Sequence, residues 1–380
     1  MTGLRSVIVK TLDKQDIEDL LVGANILGTG GGGETKLARP MIEEVYARKK
    51  HFDLISLKEV PDDEIVMIVG TVGGGVSKAI KRKVADLPKM MESPEFSARK
   101  ELAEYLGKEP YAFFPSEIGA ANTLVPMYVA AMLDRCCIDA DAGGRAKPEI
   151  SLSTTNVAGL HVFPLAIVTP FGDTIILKHA VDDARAEDIC RYVAVASGGI
   201  CGVARCPTKG KDIRNAVVPD SISETIVIGR SIREARERRE DPVQAFIDAS
   251  EGFLLFRGKV DSFERKEDGG FMWGNISIIG TEDFRREELR IWFKNEYLIT
   301  WRNGKPYVTC PDSVCVVDGK TGEGLSAWGR EFKKKREVAI VGKKAYKIWR
   351  TKRGIELFSP RHFGFDIEYR PIEDLMQDHK

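Results

Sequence analysis

A run of glycines near the amino terminus has the spacing of a nucleotide-binding loop. Residues 28–33 read Gly-Thr-Gly-Gly-Gly-Gly, and Gly28, Gly30 and Gly33 match a dinucleotide fingerprint. Asp53 follows about 20 positions later, where that motif has its acidic residue. The fingerprint also needs a strand before the glycines, whereas the apolar residues that precede this run recur at helical spacing. The sequence therefore predicts that the run binds no NAD, FAD or ATP.

Two other interpretations of the glycine run remain open. Without Cβ atoms, its N–H groups can approach a ligand or another chain segment closely, and a helix predicted to open at Glu34 or Thr35 would complete an anion-binding nest. The alternative is a helix stop followed by a flexible turn. The substrate-binding candidates under the first interpretation are Gly30, Gly31, Gly32 and, from a glycine cluster that follows a predicted strand, Gly74.

Three acidic residues follow predicted strands and are the catalytic candidates: Glu117, Asp139 and Asp141. Ligands bind beyond the carboxyl ends of parallel strands, so these acids are expected at one edge of a sheet. If the strand continues past Asp139, both aspartates share a face, where they could hold a cation or separate into one acid and one base. The alternative is that the aspartates cap a turn and Glu117 pairs with Arg145 or Arg135.

A metal site and a nucleophile are further possibilities. His161 could join Asp139 and Asp141 as a ligand of a divalent metal, for which zinc is the expected ion. A lone histidine is, however, more typical of a hydrogen-bonded structural residue. Cys137 could act as a nucleophile, but a cysteine inside an apolar strand is usually unreactive core.

The composition limits the class of protein. The chain has 380 residues, 43% of them hydrophobic, with 57 basic and 57 acidic residues. This balance is typical of a globular protein and predicts neither nucleic-acid nor membrane binding. Seven cysteines, an odd number with two adjacent, favour a reducing cytoplasm over a disulfide framework.

The pattern of predicted elements indicates an α/β fold followed by a β-rich region. An apolar strand at 111–115, a helix over 123–133 with Pro126 near its first turn, and a strand at 136–141 form a βαβ unit. We expect a three-layer α/β domain with a mostly parallel sheet over 1–165. A C-terminal domain over 166–380 would contain a helical segment at about 182–250 and, where the period changes to two, a β-barrel at about 253–370.

Several stretches, taken together, resemble the S-methyl thiohydantoin desulfurase family across nearly the whole chain. They are ANILGTGGGG (24–33), PSEIGAANTLVPM (115–127), DADAGGRAKPEI (139–150), TTNVAGL (154–160), FRGKV (256–260), KNEYLI (294–299), PDSVCVVD (311–318) and SPRHFGFDIEY (359–369). Lys147 and Ala142-Gly143 depart from the DADGMGRAFPE that many relatives have, and His161 stands where relatives often have a small residue. These departures bear on substrate identity more than on fold.

The resemblance implies a hydrolase of five-membered hydantoin-like rings, whose namesake reaction converts an S-methyl thiohydantoin to a hydantoin and methanethiol. Such a reaction needs a base or metal-bound hydroxide and an acid. Asn122, Arg145 and Asn156 are the remaining substrate-binding candidates. A homo-oligomer is expected. The alternative function is a non-catalytic subunit or ligand-binding partner of a hydantoinase or oxoprolinase system.

Overall fold

The computed structural model describes residues 8–329 and 331–377, which form two large sheets and a two-stranded one, with helices packed around them. Along the chain the strands are β1 (Val9–Leu12), β2 (Phe52–Ile55), β3 (Ile65–Gly73), β4 (Ala112–Phe114), β5 (Cys136–Ile138), β6 (Ala140–Asp141), β7 (Leu165–Val168), β8 (Thr174–Leu177), β9 (Ile200–Lys209), β10 (Val218–Pro219), β11 (Phe253–Asp268), β12 (Phe271–Gly280), β13 (Glu288–Lys294), β14 (Glu296–Arg302), β15 (Lys305–Thr309), β16 (Ser313–Asp318) and β17 (Glu337–Lys343). The helices are α1 (Lys14–Leu27), α2 (Thr35–Ala47), α3 (Lys78–Lys83), α4 (Pro94–Leu106), α5 (Ala120–Met132), α6 (Thr154–Val157), α7 (Asp183–Ala196), α8 (Gly210–Ile213), α9 (Ser221–Arg238), α10 (Pro242–Ser250), α11 (Lys352–Leu357) and α12 (Ile372–Gln377).

The first sheet has eight strands in the order β1-β2-β5-β4-β3-β9-β7-β8. Strands β2, β5, β4 and β3 run parallel to their neighbours in this group, and β4–α5–β5 forms the predicted βαβ unit. The other four pairings are antiparallel. The expectation of a mostly parallel sheet is therefore wrong, and the sheet is mixed. Strands β8 and β9 and nearly all of β7 lie beyond residue 165, the expected end of the first domain, yet they belong to this sheet.

Strand β9 was expected to lie within a helical segment, with glycines punctuating gaps between helices. It instead pairs with β3 in the middle of the sheet. Gly202 lies inside the strand, where a Cβ atom would be 2.4 Å from the carbonyl carbon of Pro94. The glycine is required because α4 crosses the strand here, and glycine in a strand often marks such a close approach.

Alternate residues of the parallel strands face different layers. Phe113 and Cys137 pack with the helices α2, α4 and α5 on one face, whereas Phe114 and Ile138 belong to a cluster on the other.

The helices near the site begin and end partly as predicted. The sequence placed Pro126 near the first turn of a helix, but α5 begins at Ala120, so Pro126 lies further inside it. The glycine run follows α1 and precedes α2, which confirms the helix before and after it.

The second sheet is entirely antiparallel, in the order β15-β14-β13-β12-β11-β17-β16. It curls around an apolar core that includes Phe256, Ile276, Phe293 and Ile340. Within the described residues, no ladder of hydrogen bonds joins β15 to β16. The predicted barrel is therefore a curled, open half-barrel sheet in this structure.

The helices α1 and α9 cross at two glycines, and this crossing yields a stability prediction. A Cβ atom at Gly229 would lie 1.8 Å from the carbonyl oxygen of Asp19, and one at Gly23 would lie 2.1 Å from that of Thr225. Gly229→Val should therefore force the helices apart and lower the free energy of unfolding by about 1–3 kcal/mol, the usual cost of overpacking. Urea denaturation would measure it, with Ser231→Val on the same helix as the control. Equal stabilities of the two variants would contradict the close crossing.

Candidate functional site

A cavity of about 380 Å³ lies between the second sheet and the strands β3 and β9 in the middle of the first sheet. Its walls come from the end of β3, the loop after β4, the segment that follows Ala146, the β13–β14 turn and residues 326–328. The glycine run contributes Gly31 and Gly33. The volume lies within the range of about 300–1,000 Å³ that is typical of small-molecule sites.

The glycine run supports the β13–β14 turn. Gly30 has φ +107°, and a Cβ atom there would lie 2.6 Å from the Cα atom of Glu296. A Cβ atom at Gly31 would lie 2.0 Å from Oε1 of the same residue. Because the glycines of the run have no side chains, the second sheet can approach closely. The carboxyl group of Glu296 therefore reaches the cavity.

Glu117 is a cavity carboxylate surrounded by N–H donors. Its Oε1 accepts a hydrogen bond from Asn122 Nδ2, and its Oε2 accepts one from the backbone N–H of Lys147 at 2.7 Å. The buried ammonium group of Lys147 lies 3.7 Å from Oε2 and also donates to the carbonyl oxygen of Ser116. Burial lowers the pKa of Lys147, while the charge of Glu117 opposes this shift.

Glu296 is a buried carboxyl group, and the charges of Arg145, Lys147 and Arg191 offset the cost of its burial only in part. It is 2% exposed, and its Oε2 has no hydrogen-bond partner among the residues that the structure describes. Burial raises the pKa of Glu296 well above its ordinary value, and the negative charge of Glu117 raises it further. The cavity therefore holds two carboxyl groups in contrasting environments, an arrangement that separates an acid from a base.

Ion pairs surround this centre. Glu149 contacts the ammonium of Lys294 and lies 3.1 Å from Nε2 of His362. Burial alone would raise the pKa of Glu149, but the hydrogen bond from His362 and the charge of Lys294 outweigh it and lower the pKa to about 2. Arg191 binds Glu187 at 2.6 Å and donates to the carbonyl oxygen of Gly73.

Of the residues expected from the sequence, four line this cavity: Glu117, Asn122, Gly31 and Gly74. Gly30 packs behind it, and Gly32 packs against Gly119 at the start of α5. Asn156 donates to the carbonyl oxygen of Ser151 and does not line the cavity.

The two aspartates lie outside the cavity lining. Asp139 accepts hydrogen bonds from the backbone N–H groups of Ile222 and Ser223, so it caps the first turn of α9. Asp141 is fully buried and accepts a hydrogen bond from the N–H of Gly144 at 2.6 Å. Burial raises the pKa of Asp141 to about 6, against the lowering effect of the Lys147 charge. Glu117 and Asp139 were expected to face one cleft, but Asp139 does not line the cavity that Glu117 lines, because its carboxylate binds the first turn of α9.

Arg145, expected to bind substrate, is buried and donates to backbone carbonyl oxygens. Its acceptors are Ala146 at 3.1 Å, Tyr297 at 2.9 Å and Asp312 at 2.5 Å, with Pro311 at 3.3 Å. These contacts join the first sheet's loops to the second sheet. Arg145 does not line the cavity.

The expected metal ligands do not come together. His161 is 3.1 Å from Asp183 and stacks on Phe163. Across the described ranges, no group of three or more His, Cys, Asp or Glu side chains is placed to hold a metal ion. Cys137 is buried in the apolar core and burial raises the pKa of its thiol well above the ordinary value, so it is poorly suited to act as a nucleophile.

Three site residues were not identified from the sequence: Glu296, Lys147 and Arg205. Glu296 follows Lys294 and Asn295 between apolar strand residues, and such a polar interruption marks a turn that can carry function. Arg205 is the single charged residue in the apolar stretch from Ile200 to Cys206. A buried charge in a strand needs a partner, so this pattern was a usable signal.

Two family models together match nearly the whole chain. One, described as S-Me-THD-like, N-terminal domain, matches residues 15–179, and the other, S-Me-THD-like, C-terminal domain, matches residues 181–372. A crystal structure of a protein from Chromobacterium violaceum has a similar fold, with a TM-score of 0.75 and 21% sequence identity, covering 96% of this chain and all of that one. No curated protein matches the sequence. In the part of the chain that the structure describes, no helix is long and apolar enough to cross a membrane.

Proposed function

Because the chain belongs to the S-Me-THD-like family, we propose that it is a hydrolase of five-membered hydantoin-like rings, converting an S-methyl thiohydantoin to a hydantoin and methanethiol. The observation that carries this proposal is the pair of buried carboxyl groups, Glu117 and Glu296, in one small cavity. The reaction needs one group to take a proton from water and another to give a proton to the ring.

The surroundings of the two groups suit these two roles. A carboxylate offers about four lone-pair positions, so Glu117 can hold its N–H donors and still accept a proton from water. Glu296 has an oxygen without a hydrogen-bond partner among the described residues, and its raised pKa favours the protonated form, which can donate a proton. Asn122 fixes the orientation of Glu117.

The proposed steps balance in protons and electrons. Glu117 accepts a proton from water as the water oxygen bonds to the ring carbon that bears sulfur. Glu296 gives its proton to the ring nitrogen, which receives the electron pair of the C=N bond. The tetrahedral carbon then expels methanethiolate while its hydroxyl returns a proton to Glu296 and becomes the ring carbonyl. Methanethiolate takes the proton held by Glu117, and both groups end as they began.

The direct test is release of thiol from an S-methyl thiohydantoin by the purified protein, followed with a colour reagent. We expect turnover that saturates with substrate and yields the hydantoin as the second product. Binding of the ring without release of thiol would overturn the hydrolase proposal and support the alternative, a ligand-binding partner of a hydantoinase system.

Gly70 offers a way to block the cavity without disturbing the fold. It lies on β3 in the cavity wall, and a Cβ atom there would meet no atom within 4 Å. Gly70→Leu should fill the space and raise KM at least about tenfold, equivalent to about 1.4 kcal/mol of lost binding. Thr174→Leu, on the exposed β8 of the same sheet, is the control. Unchanged KM in Gly70→Leu, with the control also unchanged, would place the substrate elsewhere.

A further inference from the structure

The strand β8 (Thr174–Leu177) ends the first sheet and leaves a free edge. It pairs with β7 on one side, and no strand of the described residues pairs with its other side. A free strand edge can pair with another strand, so proteins usually protect it with proline, a bulge, charges or a covering helix. The edge strand β15 of the second sheet is protected in this way, since it contains Pro306 and its Tyr307 contacts Met376 of α12.

The residues of β8 give its free edge no such protection. Three of the four are isoleucine or leucine, and Ile175 is exposed although it is apolar. The pairing of β8 with β7 is regular and has no bulge. Met91 is fully exposed beside the β7–β8 turn, where the backbone N–H of Met90 donates to the carbonyl oxygen of Pro170. A regular apolar edge of this kind is suited to adding another strand.

The turn before β8 shows which backbone groups face outward. The N–H of Thr169 donates to the carbonyl oxygen of Asp173, so these two residues form a hydrogen-bonded pair between the strands. Because the direction of the backbone groups alternates along an antiparallel strand, the odd-numbered residues from 173 to 177 point theirs toward β7. The residues whose N–H and C=O groups point away from the sheet are Thr174, Ile176 and Lys178.

We propose that β8 pairs antiparallel with β8 of a second copy of this chain, about a two-fold axis at Ile176, so that the two first sheets join edge to edge. A two-fold axis perpendicular to the sheet makes the interface self-complementary. Each residue then lies opposite the one at the same distance on the other side of Ile176. Ile175 lies opposite the partner's Leu177, Thr174 opposite the partner's Lys178, and Asp173 opposite the partner's His179.

The match of this strand to itself favours a second copy over a strand of another protein. Apolar residues lie opposite apolar ones, the acidic Asp173 lies opposite an imidazole, and the outward backbone groups on both sides of Ile176 find partners. An axis at Ile175 would place Asp173 opposite the partner's Leu177 and would pair fewer outward groups. An unrelated partner strand would not require β8 to complement its own sequence.

Exposed apolar side chains extend the contact beyond the strand pair. In the proposed dimer, the β7–β8 turn of each copy lies beside the residues that follow Leu177 in the other. Val181, in that stretch, is 83% exposed, and Met91 lies next to the turn. The interface would therefore bring exposed apolar groups together at both of its ends, which adds the apolar area that pairing of two short strands lacks.

Disulfide cross-linking of the full-length chain tests both the partner and the register. Ile175 and the partner's Leu177 would form a pair without backbone hydrogen bonds between them, with Cα atoms about 4.5 Å apart, which suits a disulfide. A mixture of Ile175→Cys and Leu177→Cys proteins should therefore form a covalent dimer on oxidation, whereas either variant alone should form far less. The wild-type protein is the control, since its cysteines are buried apart from the half-buried Cys136.

Sedimentation velocity with a charge reversal at one position gives a second test. The wild-type protein should sediment as a dimer. Thr174→Lys places like charges opposite each other twice and should weaken the dimer about 2- to 30-fold, whereas Thr174→Glu, opposite the partner's Lys178, should strengthen it by a similar factor. Gln244→Lys, on the exposed face of α10, adds the same charge elsewhere and should change nothing.

The inference does not rest on the proposed function, because β8 does not line the cavity. A monomeric wild-type protein would overturn it, and so would equal effects of Thr174→Lys and Thr174→Glu on the dimer. A dimer that shows no cross-link in the mixed cysteine variants would place the interface on another surface. Cross-linking of Ile175→Cys alone as complete as that of the mixture would overturn the axis at Ile176.

Discussion

Glu296→Gln is expected to lower turnover by at least about 10²-fold, the low end for removing a general acid, and to leave the protein folded. Glutamine copies the shape of the neutral carboxyl group but cannot donate a proton of comparable acidity. Glu117→Gln should cause a loss of similar size because the base is removed. The measurement is the rate of thiol release at saturating substrate, with circular dichroism to confirm folding.

The aspartates expected from the sequence are the matched comparison for this experiment. Asp139→Asn removes a charge from a helix cap, so it should lower stability by about 0.5–2 kcal/mol while turnover stays within a few-fold of the wild type. Asp141→Asn should behave similarly, since Asp141 does not line the cavity. Near-normal rates in both glutamine variants, with large losses in the asparagine variants, would return the chemistry to Asp139 and Asp141.

The stability of the protein should depend on pH through Glu296, and the raised pKa of this residue gives the direction of the dependence. Because the folded protein favours protonated Glu296, its contribution to stability is fully present below about pH 4, the pKa region of an unfolded glutamate, and is lost as pH rises through the folded pKa. Turnover should fall over the same rise, as the acid loses its proton. The stability of Glu296→Gln relative to the wild type should therefore increase with pH, and a constant difference would contradict a buried neutral carboxyl.

Arg145→Ala should cause the largest loss of stability among the substitutions considered. The guanidinium donates to the carbonyl oxygens of Tyr297, Pro311 and Asp312, which belong to the second sheet and its loops. Its removal leaves several buried acceptors without donors and opens a cavity between the sheets. We expect the free energy of unfolding to fall by at least about 3 kcal/mol.

Urea denaturation of Arg145→Ala and Arg361→Ala gives the comparison. The side chain of Arg361 is 60% exposed, and its ion pairs should change stability by less than about 0.5 kcal/mol. If Arg145→Ala were as stable as the control and instead raised KM, Arg145 would bind substrate, as the sequence suggested.

Local patterns were enough to predict much of the fold. The change of hydrophobic period at residue 253 marked the start of the antiparallel sheet, and the order of strand, helix and strand predicted the β4–α5–β5 unit. Both signals depend on residues close in the chain. The strand β9 was not predicted, because the reason for Gly202 within it is the close approach of α4, an element distant in sequence.

The sequence by itself determined the family and the order of an α/β region followed by an antiparallel β-rich region, and it placed Glu117 and the first glycine run among the candidate site residues. Only the tertiary structure decided which acids meet. Asp139 matched a strand-end pattern as well as Glu117 did, but α9 reaches back to use its carboxylate as a cap. Glu296 comes to the cavity because Gly30 and Gly31 have no side chains to keep the β13–β14 turn away. Such pairings depend on long-range packing, whose partners a local pattern does not specify.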